Sequence, residues 1–329
     1  MQKINQLLKF EPILKEKIWG GEKLISQLHK KSIKKNIGES WEISGVENDI
    51  SIVIKGSLQG KNLQELIGTF KGDLVGHSVY KQFGDKFPLL IKFIDAKEVL
   101  SIQLHPNDAL AKKRHNSFGK TEMWYVIQTD EKANLIVGLK EKVSEKKYLH
   151  HLENKTLLDI LNIDEVKKDD VYIIPSGRIH AIGAGVLLAE IQQISDITYR
   201  IYDWDRKDVD GNYRELHTEE AIAAIDYNVQ KSYKTAYQKI KNGVSEIVSC
   251  SYFTTNIIQI SENTAFYLNH SKKDSFVIYM AVKGTIFFRY DEQLEVLKAG
   301  GTLLVPACIN EIEIASGENS SEVLEIFIK

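Results

Sequence analysis

Cysteine is almost missing from this chain, with only Cys250 and Cys308 among 329 residues. Two thiols without metal-binding or redox spacing make neither a disulfide framework nor a thiolate metal site. Both lie in apolar, strand-like surroundings that suit small buried hydrophobes. An excess of charge of either sign is lacking too. The 43 basic and 45 acidic residues nearly cancel, so nothing favours nucleic acid or an anionic membrane surface as a partner. No apolar run approaches the roughly 18 residues that would span a bilayer. The opening MQKINQLLKFEPILKE has no apolar h-region of a secretory leader, and the expectation is a soluble, cytoplasmic protein. No glycine-rich loop follows a strand, which excludes a nucleotide-binding half.

What is present is mostly strand. FPLLIKFIDA (87–96), NLIVGL (134–139), DVYIIPSG (170–177), VLLAEIQQI (186–194) and TYRIYDWD (198–205) are short, rich in β-branched and aromatic residues, and bounded by turn residues. Helical patterns are fewer: NDALAKKRHN (107–116), LHTEEAIAAID (216–226), and residues 144–163, where Leu149, Leu152, Ile160 and Ile163 fall near a helical period. Asn62 is placed to cap LQELIG. The pattern predicts a mainly β fold, a barrel or jelly roll with helical insertions near 107–118, 142–165 and 216–228. A polar, lysine-rich run at 230–245 predicts a boundary between a catalytic domain (1–240) and a small all-β domain (245–329).

The most informative stretch is AKEVLSIQLHPND, 96–108. Read as one strand, it puts Leu100, Ile102 and Leu104 on a core face. Lys97, Val99, Ser101, Gln103 and His105 then share the other face, either solvated or lining a site. KTEMWYVI (120–127) aligns Lys120, Glu122 and Trp124 in the same way. Pro175, Gly177 and His180 have the spacing PxGxxH, which resembles the second cupin motif; Asp169 stands where that motif has a glycine. His105 followed by Glu122 resembles the first cupin motif, with a longer gap. Two imidazoles and a carboxylate from different strands, with an amide nearby, leave room for water or substrate, as in a catalytic metal site. The set suits Zn²⁺, and also Fe²⁺ or Mn²⁺.

KEKIWGGEKL (15–24), IGESWEISG (37–45), SIQLHPND (101–108), GKTEMWYV (119–126), PSGRIHAIG (175–183) and ISDITYRIYDWDR (194–206), in that order, resemble the short bacterial form of the class I mannose-6-phosphate isomerases. The resemblance implies a cupin barrel and one metal ion, Zn²⁺, held by His105, Glu122 and His180 with Gln103 as a weaker fourth ligand. It implies a small sugar phosphate as substrate, and a monomer or weak homo-oligomer. Arg200 falls on the family's active-site arginine, with Glu190 and Lys120 as further catalytic candidates. Lys97, Ser101 and Trp19 fall on substrate-binding positions, the first two as phosphate contacts. In the C-terminal domain Gly300 and Pro306 keep the turn spacing of a second cupin unit, but Cys308 and Glu311 replace its glycine and histidine, so that unit is expected to be structural. The implied reaction is aldose–ketose isomerisation through an enediolate. Competing readings are another metal-dependent cupin enzyme, such as an Fe²⁺ dioxygenase, or a sugar-binding cupin without turnover.

Overall fold

The computed structural model describes residues 4–208 and 210–329. Its first part is built on two antiparallel sheets. One has six strands, in the order Ile13–Gly21, Ile37–Ile43, Leu89–Ala96, Val186–Gln193, Glu122–Thr129 and Val171–Ile174. The other has five, in the order Tyr199–Tyr202, Ile102–Leu104, His180–Ile182, Asn134–Leu139 and Leu161–Glu165. The central strands of the larger sheet are buried on both faces, which is why they read as nearly unbroken apolar runs. Alternation still sorts their side chains. Leu89, Ile91, Phe93, Ala189 and Ile191 point away from the smaller sheet, into a core shared with helix Leu63–Phe70 and with residues beyond 243. Lys92, Ile94, Leu188 and Glu190 take the opposite face, inward.

Residues 243–329 form two more antiparallel sheets of five and four strands. They dock through apolar contacts of Phe253, Ile257, Phe276 and Ile278 within that shared core. Leu8 and Leu304 also exchange backbone hydrogen bonds of 2.9 Å in both directions. The expected turn symmetry holds in the backbone: Asp169 and Gly300, each six residues before a proline, have φ of 73° and 87°. Aspartate tolerates this left-handed conformation better than most residues, which accounts for its place in a glycine position.

The five strand segments and the helices at 108–115 and 218–222 lie where the sequence puts them. Asn62 caps helix Leu63–Phe70 in a capping box with Glu65, worth about 1 kcal/mol. Three expectations are corrected. The helix after Ser144 ends at Glu153, and Leu161–Glu165 is an edge strand; the apolar spacing comes from a helix, a 3₁₀ turn and a strand in succession. Ile163, expected in the helix, is an exposed residue of that strand. The stretch 96–108 is not one strand: the chain bends at Lys97 and Glu98 and resumes at Ile102–Leu104. Cys250 is only half-buried and Cys308 is exposed in the turn after Thr302–Val305, because both sit at strand ends rather than within strands. Among the described residues no helix is long and apolar enough to cross a membrane.

Candidate metal centre and sugar pocket

Strand register assembles the site from two facing rows. In the larger sheet Trp41 stands opposite Lys92, Lys92 opposite Glu190, and Glu190 opposite Trp124. Directly opposed residues share a face, so these four side chains form one inward row. In the smaller sheet Arg200 and His180 both stand opposite Gln103, giving a second row. Between the rows lies a cavity of about 340 Å³, lined by all seven. Trp19, Ser101, Lys120, Asp196 and Arg214 also line it, whereas none of its lining residues comes from 243–329.

At the cavity floor His105, Glu122 and His180 are buried, with ligand atoms all within 4.8 Å of one another. His105 Nδ1 lies 2.9 Å from the Ile197 carbonyl and His180 Nδ1 2.8 Å from the Arg178 carbonyl. Each Nδ1–H therefore donates outward, and each Nε2 lone pair faces the centre. Local sequence secures this. Helix Asp108–His115, capped by Asn107, fills the long interval between His105 and Glu122. Gly177 donates from its amide to the His105 carbonyl at 2.8 Å, tying the two histidine segments together. Its φ is +84°, and a Cβ there would come within 2.5 Å of the Ala224 carbonyl oxygen, so the turn requires glycine.

The donor set fits a divalent cation. His105 Nε2 and Glu122 Oε2 are 3.3 Å apart, yet both are buried without a hydrogen-bond partner. A buried acceptor left in that state costs about 1–3 kcal/mol, which a cation would offset. The charge states agree with this. Burial first, then the Lys120 ammonium, push the His105 imidazole down to about 3, and burial likewise lowers His180, so both imidazoles are neutral, the form that can bind a metal. Burial raises the Glu122 carboxyl, but Lys120 and the two imidazoles outweigh it and hold it well below the usual carboxylate range. Lys120 Nζ lies 3.5 Å from Glu122 Oε2. Gln103 Nε2 lies 3.4 Å from His180 Nε2, and rotating the amide would turn its oxygen to the same point.

Beside this floor the inward row carries a buried charge network. Glu190 accepts from Lys92 at 3.0 Å and from the Trp124 indole at 2.9 Å. Lys92 reaches a second carboxylate, Glu39, at 4.0 Å, which Trp41 holds through its indole at 2.6 Å. Burial first, then Glu122, raise the Glu190 carboxyl, and Lys92 offsets this only partly. Burial opposes charge on Lys92, but Glu190 and Glu39 outweigh it and raise its ammonium.

Of the residues singled out in the sequence, Trp19, Ser101, Gln103, Lys120, His180, Glu190 and Arg200 line the cavity, with Glu122 buried behind Lys120 and His180 and His105 beside it. Lys97 stands apart, exposed in the bend after Leu89–Ala96 and outside the lining. The bend breaks the alternation that, read back from Gln103 and Ser101, would have put Lys97 on their face. Lys92, Glu39, Trp41 and Arg214 were missed. The signal for Lys92 was legible, a lysine in the middle of an otherwise apolar strand, which needs buried partners.

A family model described as "Phosphomannose isomerase type I, catalytic domain" matches residues 7–148. Mannose-6-phosphate isomerase ManA of Bacillus subtilis is 32% identical over 310 residues, 93% of this chain and 95% of that protein. A mannose-6-phosphate isomerase of Streptococcus mutans is 35% identical over 300 residues, covering 89% of this chain and 90% of its own. Among solved structures, the mannose 6-phosphate isomerase from Bacillus subtilis superposes with a TM-score of 0.87 at 30% identity, over 98% of this chain and 99% of that one. A putative mannosephosphate isomerase from Archaeoglobus fulgidus, at 23% identity, shares the fold with a TM-score of 0.80 over 100% of this chain and 99% of its own.

Proposed function

This chain belongs to the type I phosphomannose isomerase family and interconverts mannose 6-phosphate and fructose 6-phosphate, and we propose that it does so through an enediolate formed in the cavity above His105, Glu122 and His180. The observation that carries this reading is the pair of orphaned, buried acceptors, His105 Nε2 and Glu122 Oε2, at the floor of a cavity lined with cations. These two residues and His180, with Gln103 as the weaker fourth, would hold one divalent cation. Two neutral ligands and one carboxylate suit Zn²⁺. An ion held there would supply a Lewis acid for oxygens at the substrate's reacting carbons.

The remaining work falls to side chains of this chain. Glu190 is assigned the proton transfer between C2 and C1. Its carboxyl is raised toward the operating pH by burial, and a carboxylate that accepts from Lys92 and Trp124 still has lone pairs free. Lys120, buried beside Glu122, donates to a substrate oxygen. Arg200 faces the charge that develops on the enediolate. Ser101 and the Trp19 ring contact the sugar. A phosphate ester does not cross membranes unaided, so a cytoplasmic enzyme fits this substrate.

The test is a coupled assay for fructose 6-phosphate formation, with and without a chelator. Activity should vanish on chelation and return with Zn²⁺. Full activity in a protein shown to be metal-free would overturn the proposal.

A further inference from the structure

The wall of the cavity beyond Gln103 presents two guanidinium groups, with the Asp196 carboxylate among the other lining residues. Arg200 and Arg214 both line it, and their guanidinium groups are close enough to oppose each other's charge. Arg214 is held in a bidentate pair by Asp203, its Nε donating to Oδ2 at 2.7 Å and its Nη2 to Oδ1. Asp203 is buried and also accepts from Arg206 Nη2 at 2.9 Å. One carboxylate thus serves two arginines. Arg206 is turned away, donating through Nη1 to the Val99 carbonyl at 2.6 Å, and does not line the cavity. Among the described residues no carboxylate lies within ion-pair distance of Arg200. Its Nη1 donates to the Glu215 carbonyl at 2.9 Å, and its Nε is buried without a partner.

Arg214 comes from the segment that folds back along Tyr199–Tyr202. Arg200 donates through its amide to His217 Nδ1 at 3.1 Å, and the His217 amide donates to the Arg200 carbonyl at 2.8 Å. Asp203 therefore clamps one end of a return segment that both presents Arg214 and supplies the carbonyl holding Arg200. Across the register Arg200 is two strands from His180, roughly 10 Å. A substrate with its reacting carbons at the metal floor would carry its far end to this wall.

Resting on the isomerase reading above, we propose that Arg214 anchors the dianionic phosphate of the substrate, and that Asp203 is a positioning residue that fixes the Arg214 fork. An arginine pre-set by a carboxylate loses little freedom on binding and presents its free edge to a phosphate oxygen. The phosphate is present in ground state and transition state alike, so this contact contributes uniform binding and acts on KM rather than kcat.

The test uses metal-loaded enzyme, steady-state kinetics with mannose 6-phosphate, and competitive inhibition by inorganic phosphate. Arg214→Ala should raise KM and the inhibition constant for inorganic phosphate in parallel, each by about 10–100-fold, the size of a lost charged hydrogen bond, with kcat changed less than about threefold. Arg214→Lys should recover part of the loss in both constants. Asp203→Asn should raise both more modestly, with metal content unchanged. The double variant should differ little from Arg214→Ala, because Asp203 acts through Arg214. Unchanged KM and phosphate inhibition in Arg214→Ala would overturn the assignment while leaving the isomerase reading intact. Additive effects of Asp203→Asn and Arg214→Ala would overturn the positioning role. Failure of the isomerase reading has a different signature, a metal-loaded wild-type enzyme without turnover.

Discussion

Glu190 stands directly opposite Lys92 across paired strands, its Oε1 3.0 Å from Lys92 Nζ, with both side chains buried. The pair separates two kinds of substitution. Lys92→Met would leave Glu190 and Glu39 facing an apolar side chain, and breaking a buried pair from one side costs about 3–5 kcal/mol. Urea denaturation should register that loss. Glu190→Gln keeps one acceptor oxygen, enough for Lys92 or Trp124 but not both, and removes the proton-carrying group, so it should cost less stability than Lys92→Met while kcat falls about 10²–10⁴-fold. A Glu190→Gln enzyme with near-normal kcat would move the proton transfer to another group.

The proposed metal ligands should be graded by their chemistry. His105→Ala and His180→Ala each remove an imidazole whose Nε2 faces the centre, and neither variant should hold a stoichiometric divalent ion by elemental analysis. Gln103→Ala should be milder, since an amide is a weak ligand and water can replace it. A full metal equivalent in both histidine variants would displace the centre from this site.

Arg200 is expected to behave differently from its neighbour Arg214. If it faces charge present only at the enediolate, Arg200→Ala lowers kcat and kcat/KM together, by about 10²–10³-fold. Lysine should rescue little, because it lacks the forked geometry. Kinetics at constant metal content decide this, and an effect confined to KM would move Arg200 to the phosphate wall.

Acid sensitivity should trace partly to Glu39. Burial raises its carboxyl, but Lys92 and Lys17 outweigh that and bring it from 4.5 down to about 2. A depressed folded-state value means stability that is present above about pH 4.5 and is lost as pH falls toward 2. The linked contribution at neutral pH is on the order of 3 kcal/mol. Glu39→Gln should flatten the fall in unfolding free energy across that window, and an unchanged slope would refute the linkage.

A chain ending near residue 240 should retain its metal equivalent but lose solubility. The outward faces of Phe93 and Ile191 share one apolar core with Phe276 and Ile278, and removing the latter exposes a contiguous patch. Solubility and metal content measured together check this. A substrate contact from residues 245–329 in a crystal structure would contradict a purely structural role for them.

Local pattern was enough to find the strands, the Asn62 cap, and the cluster of His105, Glu122 and His180, because alternation, capping chemistry and turn spacing act over a few neighbouring residues. It overreached where a local period continued past a bend, as at Lys97, and where three short elements in series imitated one helix, as at 144–163. Only the tertiary structure could decide which side chains meet. Lys92 and Glu190 are 98 residues apart, and nothing in either segment specifies the other as its partner. Their pairing follows from the register of Leu89–Ala96 on Val186–Gln193, which is set by burying the outward faces of those strands in a shared core. The same holds for Asp203 and Arg214: the sequence supplies a carboxylate and a guanidinium, and the return of the chain along Tyr199–Tyr202 brings them to the cavity wall.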